Sequence, residues 1–195
     1  MLAELRQFVA DLYRFVGHWF ATYGCAVSGW QAVRTARVED VAQMARVIVR
    51  CWQETYRGLM PDAVLDDPGF PAARERFWTA VLTDERYRTN RVAVAEQDGE
   101  LIGVAMSGPP LDHGAVWARQ LYVLYVYAAA HGTGAGPALL EAVVDGKESV
   151  ALWVAEPNPR AQAFYRKHGF VADGTAQVEG GVLEIRMVRG VRDGG

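Results

Sequence analysis

The sequence has little cysteine, no excess of basic charge and no zinc-type histidine pattern, and each shortage excludes a class of protein. Two cysteines, Cys25 and Cys51, are too few for a disulfide framework and predict reduced thiols in the cytoplasm. The formal net charge of −3 gives no electrostatic basis for nucleic-acid binding. The four histidines lack ligand spacing with one another or with cysteine, so no metal is predicted.

Residues 1–28 form a separate amphipathic segment with a connector. Apolar residues recur there at helical spacing, namely Leu2, Leu5, Phe8, Val9, Leu12, Phe15, Val16 and Trp19. Charged residues interrupt this run, which excludes a secretory signal and a membrane span. The polar face carries both signs, so a helix packed on its own domain or on a second subunit is favoured over a membrane-surface anchor. Residues 29–195 are long enough for one domain with a single core.

Helix and strand patterns alternate within residues 29–195. Helical periodicity starts at Val41 and is broken by Gly58 and Pro61, and a second helical region, interrupted at Pro68-Gly69 and Pro71, runs to about Leu82. Alternation and apolar runs predict seven strands, at residues 31–37, 91–96, 101–107, 116–127, 149–154, 171–178 and 182–188. The Asp98-Gly99 pair predicts a tight hairpin between the second and third strands.

The most informative stretch follows the strand that ends at Val126 and the turn at 128–130. It reads His131-Gly132-Thr133-Gly134-Ala135-Gly136 and opens a helical pattern. Its glycines leave backbone N–H groups bare at a helix start, where the helix dipole is positive, so the stretch suits an anion such as a diphosphate. Pro137 comes next, and therefore neither the P-loop nor the Rossmann fingerprint matches.

A second motif follows the strand at 149–154. It has the form Asn-x-x-Ala, then Phe-Tyr-x-x-x-Gly-Phe, and is carried by Asn158, Ala161, Phe164, Tyr165, Gly169 and Phe170. In order and spacing the two motifs resemble the GNAT superfamily of N-acetyltransferases, whose acetyl-CoA signature is a strand followed by [Gln/Arg]-x-x-Gly-x-[Gly/Ala]. The resemblance covers about residues 32 to 189. His131 departs from it, because the family usually has Gln or Arg there.

The resemblance implies an α/β (α+β) fold. We expect a mixed, mostly antiparallel twisted sheet flanked by helices, with the N-terminal helix as an addition. The strands at 116–127 and 149–154 should lie parallel and part at their ends to admit the pantetheine arm. The resemblance also implies residues that bind acetyl-CoA as cosubstrate: Leu124, Tyr125, Val126, His131, Gly132, Thr133, Gly134, Ala135, Gly136, Asn158, Arg160, Phe164 and Tyr165.

Two catalytic roles are implied in the same way. The backbone N–H near Val126 is expected to polarise the thioester carbonyl, and the Tyr165 phenol to protonate the departing thiolate. Each residue also has a plainer interpretation. Tyr165 is otherwise a core aromatic, Asn158 is a good helix N-cap, and Arg160 is a solvated charge.

The general base is harder to predict. An alkyl ammonium of pKa near 10.4 is mostly protonated at neutral pH, so a base or a site that lowers the amine pKa must help. Many relatives carry Glu on the long strand where this chain has Gln120. Glu54 is the candidate, against the alternative of a surface carboxylate, and Asp112, His113 and a water chain stay open. Alternation places Gln120, Tyr122, Leu124 and Val126 on one face of the strand.

The sequence carries few signals for the amine that accepts the acetyl group. Several aromatic residues are candidates for a pocket wall, although core packing explains most of them: Trp52, Tyr56, Trp78, Trp117 and Tyr122. The phrase Trp-x-x-x-Tyr-Arg-Gly-x-x-Pro at 52–61 is similar to a bacterial subgroup with unassigned acceptors. We expect a small-molecule primary amine that attacks directly in a ternary complex. Protein or peptide N-acetylation and a non-catalytic acetyl-CoA-binding module are the alternatives, and a homodimer is expected to be possible through the N-terminal helix.

Overall fold

Seven strands form one sheet in the computed structural model, which describes residues 32–57, 62–112, 114–179 and 182–191. The sheet order is β1-β2-β3-β4-β5-β7-β6. The strands are β1 Ala32–Thr35, β2 Arg91–Gln97, β3 Glu100–Gly108, β4 Arg119–Val126, β5 Val150–Ala155, β6 Val171–Glu179 and β7 Val182–Arg189. The predicted N-terminal helix and His113 lie outside the described residues. Among the strands of the described residues, only β4 and β5 pair in parallel, so the predicted mixed, mostly antiparallel sheet is confirmed.

Within the described part of the chain, five α-helices flank the sheet. They are α1 Val41–Tyr56, α2 Asp62–Leu65, α3 Phe70–Thr83, α4 Ala135–Val143 and α5 Pro159–Lys167. The predicted interruption at Pro71 is wrong, because this proline lies in the first turn of α3. A residue in the first turn makes no intrahelical N–H bond, and therefore the missing N–H of proline costs nothing there. Among the helices of the described residues, none has the length and apolarity that a bilayer span requires.

Two apolar clusters cover the two faces of the sheet. On one face, which we call the α1 face, helices α1 and α3 supply a cluster that includes Met44, Trp52 and Trp78. On the opposite face, the α4 face, Leu139 and Tyr165 from α4 and α5 belong to a cluster with Leu152 of β5 and Met187 of β7. Because side chains alternate along a strand, β2, β3 and β4 contribute to both clusters, whereas β5 and β7 contribute to the α4-face cluster.

Gly103 of β3 is fixed by the close approach of its neighbours. It lies opposite Val126, and a Cβ atom there would stand 2.9 Å from both the Leu139 side chain and the Tyr125 carbonyl oxygen. We expect Gly103→Ala to lower the free energy of unfolding by about 1–3 kcal/mol, because a backbone oxygen cannot move aside cheaply. Urea unfolding measures this. Gly190→Ala is the control, since nothing lies within 4 Å of a Cβ there, and equal midpoints for the two variants would contradict the prediction.

Candidate active site

A gap opens between β4 and β5. Their parallel pairing covers three positions and ends at Leu121 opposite Leu152. Beyond it β4 continues to pair with β3 as far as Val126, and β5 continues to pair with β7 as far as Ala155. The outer neighbours therefore hold the two strands in place while they part. β4 is buried up to Val123 and only half-buried from residue 124 to residue 126, as expected where a neighbouring strand departs.

A β-bulge at Tyr122 changes which β4 side chains share a face. Met106 of β3 pairs with Val123, and Ser107 pairs with Leu121, so Tyr122 is the extra residue. Tyr122 packs in the α1-face cluster, whereas Leu124 and Val126 pack against the α4-face cluster. The predicted common face of Gln120, Tyr122, Leu124 and Val126 is therefore wrong, because strict alternation does not survive a bulge.

The predicted glycine loop forms the start of α4. Gly132 and Gly134 have φ values of 81° and 99°, a region that side chains other than glycine's rarely occupy. The first helical bond of α4 runs from Ala138 N to the Gly134 carbonyl. Helix geometry thus leaves the N–H groups of Ala135 and Gly136 without an intrahelical partner. The Thr133 hydroxyl donates to the Ala130 carbonyl at 2.8 Å, which holds the loop in this shape.

Helix α5 brings Tyr165 beside the start of α4. Asn158 caps the helix, because its side-chain oxygen accepts from Ala161 N at 3.0 Å, and so the predicted N-cap is confirmed. A Cβ atom on Gly136 would stand 3.4 Å from the Phe164 ring, which shows how closely the two helices approach. Tyr165 is 8% exposed and meets Phe164 and Phe170 edge-on.

His131 connects the loop with the end of β4. Its Nε2 lies 2.9 Å from the Val126 carbonyl oxygen. Burial and the positive charge of Arg160 lower the pKa of the imidazole, while the Val126 bond and Glu54 act in the opposite direction. The structure therefore gathers the loop, the end of β4, Arg160 and the α5 aromatics at one end of the gap.

Comparison with known proteins identifies the family of this chain. The sequence model of the Acetyltransferase (GNAT) family matches residues 42–170, more than half of the chain. The chain belongs to the GNAT family. A probable N-acetyltransferase of Mycobacterium tuberculosis is 28% identical over 146 residues, which cover 73% of this chain and 80% of that protein. An uncharacterized N-acetyltransferase of Bacillus subtilis is 29% identical over 133 residues, covering 65% and 73%.

Solved GNAT structures share the fold. PaiA N-acetyltransferase from Thermoplasma acidophilum, in complex with coenzyme A, has a TM-score of 0.64 and 17% identity, covering 82% of this chain and 98% of that one. A Corynebacterium glutamicum protein described as histone acetyltransferase HPA2 and related acetyltransferase has a TM-score of 0.62 and 22% identity, covering 85% and 98%. The expected fold and the acetyltransferase class are thus confirmed, whereas the roles of individual residues stay predictions.

Glu54 of α1 lies beside the turn that follows β4, and both its oxygens accept hydrogen bonds. Oε2 accepts from Ala128 N at 2.9 Å, and Oε1 accepts from Arg50 Nε at 2.8 Å. Glu54 therefore ties α1 to the turn after β4, and each of its oxygens keeps a second lone pair that can accept a proton. Gln120 is 3% exposed and accepts from Leu111 N at 2.9 Å, so its amide has a structural function.

Most of the aromatic candidates for a pocket wall belong to the core. Trp52 and Trp78 are fully buried in the α1-face cluster, so they cannot contact a ligand. Tyr122 is buried as well and donates its hydroxyl to the Pro109 carbonyl, and burial raises its pKa. The side chain of Tyr56 lies outside the described part of the structure. Trp117 lies at the edge of a cluster that the sequence did not predict.

That cluster is centred on Arg186 of β7 and lies on the α1 face. The guanidinium stands 4.7 Å from the Trp117 ring and 5.5 Å from the Trp153 ring. It pairs with Asp173 at 2.8 Å and with Asp112 at 3.5 Å, and Asp112 also accepts from the Trp153 indole at 3.3 Å. Arg186 thereby holds the β3–β4 loop, residues 109–118, onto β5 and β7. The five residues come from one loop and three separate strands, so no spacing pattern could reveal them.

We expect Arg186→Ala to lower the free energy of unfolding by about 1–3 kcal/mol, because it removes two part-buried ion pairs and two cation–π contacts together. Chemical unfolding measures the loss. Arg88→Ala serves as control, since Arg88 makes an exposed pair with Glu85 at 3.3 Å and should change stability by less than about 0.5 kcal/mol. A loss for Arg186→Ala no larger than that of the control would contradict the structural role of the cluster.

Proposed function

We propose that the protein transfers the acetyl group of acetyl-CoA to a primary amine of a small molecule, by direct attack in a ternary complex. The observation that carries the proposal is the gap between β4 and β5. At one end of the gap lies the glycine loop, whose backbone geometry suits an anion. Helix α5, which carries Tyr165, lies on one face of the sheet, and the half-buried edge of β4 lies between them. A bound coenzyme A in the related PaiA structure supports the choice of cosubstrate.

Main-chain N–H groups of the loop, residues 132–136, are proposed to bind the diphosphate. Helix geometry leaves the N–H groups of Ala135 and Gly136 without an intrahelical partner, and Ala135 N makes a long contact of 3.4 Å with the Thr133 hydroxyl. A helix N-terminus also favours negative charge. Arg160 adds a cation near this end of the gap, since its charge acts on His131. The pantetheine arm would then run between β4 and β5, along Leu124, Tyr125 and Val126 on one side and near Asn158 on the other.

The acyl carbonyl is proposed to lie against the N–H of Val126. Tyr127 N donates to the Ile102 carbonyl of β3 at 2.9 Å. Because successive residues of a strand direct their peptide groups to opposite edges, the groups of Val126 face away from β3 and towards the gap. A fixed donor at that place stabilises negative charge that develops on the carbonyl oxygen.

Two side chains are proposed to move protons. Tyr165 protonates the departing thiolate, and Glu54 takes the proton from the amine on a lone pair that neither Ala128 nor Arg50 uses. Acceptor entry would be bordered by the end of α1 at Glu54 and by the β3–β4 loop held by Arg186, an arrangement that favours a compact amine over a folded protein. We also propose that residues 1–28 form a separate helical segment. The protein is further proposed to form a homodimer and to be located in the cytoplasm.

Release of free thiol from acetyl-CoA in the presence of a panel of primary amines tests the function. The expected result is amine-dependent release that saturates with the amine and yields an acetylated product by mass spectrometry. Lysine-containing peptides in the same panel test the alternative of peptide acetylation. Saturable binding of acetyl-CoA without transfer to any amine or peptide would instead support a non-catalytic binding module.

A further inference from the structure

The side chain of His131 gives the Val126 carbonyl a hydrogen-bond partner inside the gap. The two atoms, His131 Nε2 and Val126 O, are 2.9 Å apart. A carbonyl oxygen only accepts, so the hydrogen must be on Nε2. The carbonyl faces the edge of β4 from which β5 has departed. The imidazole therefore takes the place of the backbone N–H that a neighbouring strand would otherwise donate to this oxygen.

The peptide that links Val126 and Tyr127 is consequently held from both sides. Its carbonyl accepts from His131, which begins the glycine loop, and its N–H donates to Ile102 of β3. Rotation of this peptide would change ψ of Val126 and φ of Tyr127, and would thereby disturb the end of β4 that carries the preceding N–H. The position of the loop and the direction of the proposed acyl-binding N–H therefore depend on one side chain.

We propose that His131 is a positioning residue that couples diphosphate binding at the glycine loop to the alignment of Val126 at the acyl group. This inference rests on the proposed function. A loop that has closed on the diphosphate fixes His131, and His131 fixes the peptide after Val126. Loss of the imidazole frees both, so the loop binds its ligand less tightly and the end of β4 opens more often.

The charges around His131 make the coupling sensitive to pH. Arg160 of α5 and Glu54 of α1 are the charged groups that act on the ring, and burial and Arg160 lower its pKa in the free protein. A diphosphate beside the loop offsets Arg160, and therefore the pKa of His131 is higher with ligand bound than without. The extra affinity is complete below the free-state pKa and is lost as the pH rises through the bound-state pKa. Nε2 carries a hydrogen in both forms, so the Val126 bond survives protonation.

Titration calorimetry with coenzyme A, between about pH 5.5 and pH 8, tests the coupling. His131→Gln keeps an N–H donor but does not titrate, and His131→Ala has neither property. We expect His131→Gln to bind coenzyme A within about twofold of the wild type at the alkaline end. On acidification, the affinity of the wild type for coenzyme A should rise by about threefold or more, and that of His131→Gln should not. We expect His131→Ala to bind about tenfold more weakly throughout. The phosphates of coenzyme A titrate alike with all three proteins, so the comparison removes their contribution.

Hydrogen exchange at the Tyr127 amide is the second readout. It should be about tenfold faster in His131→Ala than in the wild type and unchanged in His131→Gln, with circular dichroism confirming that each variant is folded. Parallel pH profiles for wild type and His131→Gln, or wild-type affinity and exchange in His131→Ala, would overturn the coupling alone. Failure of the folded wild type to bind coenzyme A would overturn the proposed function, and the coupling with it.

Discussion

Tyr165→Phe is expected to lower kcat for acetyl transfer by about 10²–10³-fold. The affinity for acetyl-CoA should stay within about twofold, because the hydroxyl is proposed to donate only when the thiolate departs and the aromatic ring is retained. Tyr165 packs between Phe164 and Phe170, an environment that accepts a phenylalanine ring. Steady-state kinetics with the best amine of the panel, together with calorimetric binding of acetyl-CoA, measure the two quantities.

A buried tyrosine elsewhere provides the control. Tyr87 is 6% exposed in the α1-face cluster, on the side of the sheet away from α5. Tyr87→Phe should leave kcat within about twofold of the wild type, even if some stability is lost with its hydroxyl. A kcat for Tyr165→Phe equal to that of Tyr87→Phe would remove Tyr165 from the mechanism and leave it as a core aromatic.

Gly134→Val is expected to weaken coenzyme A binding by about 100-fold. Gly134 is the N-cap of α4 with φ of 99°, a left-handed conformation that a β-branched residue avoids. The loop must change its path to accommodate valine, and its N–H groups then no longer converge. Losing one or two charge-assisted hydrogen bonds, each contributing about 1.5–3 kcal/mol, accounts for the expected size. Calorimetry with coenzyme A measures the affinity.

The same substitution at Gly174 separates loop geometry from general strain. Gly174 has φ of 85° and nothing within 4 Å of a Cβ, and it lies in β6 at the far edge of the sheet. Gly174→Val should lose stability through the same backbone conflict while its affinity for coenzyme A stays within about twofold. If both variants bind coenzyme A equally well, the glycine loop does not hold the diphosphate.

Local sequence signals predicted the fold well because their physical causes are local. The Asp98-Gly99 hairpin forms with φ of 52° and 80°, the positive values that such a turn requires. The glycines of the loop and the cap at Asn158 likewise depend on neighbours within a few residues. The two motifs were informative together because the glycine loop marks the start of α4 and the Asn158 motif marks the start of α5. The fold places these two helices side by side.

Features that depend on distant residues were missed or misjudged. The bulge at Tyr122 exists because β3 and β4 fall out of register, which only the pairing of two strands reveals. Glu54 was identified near the end of a helix, yet its bond to Ala128 joins positions 74 residues apart. The Arg186 cluster combines a loop and three strands, and its members have no common spacing. Long-range contacts of this kind leave no periodic trace in a sequence.

A crystal structure of the protein with bound coenzyme A would show whether the glycine loop and Tyr165 form its binding site. We expect diphosphate oxygens within hydrogen-bonding distance of the main-chain N–H groups of residues 132–136. We also expect the sulfur between β4 and β5, within reach of the Tyr165 hydroxyl. Coenzyme A bound elsewhere, or a Tyr165 hydroxyl directed away from the sulfur, would contradict the proposed site.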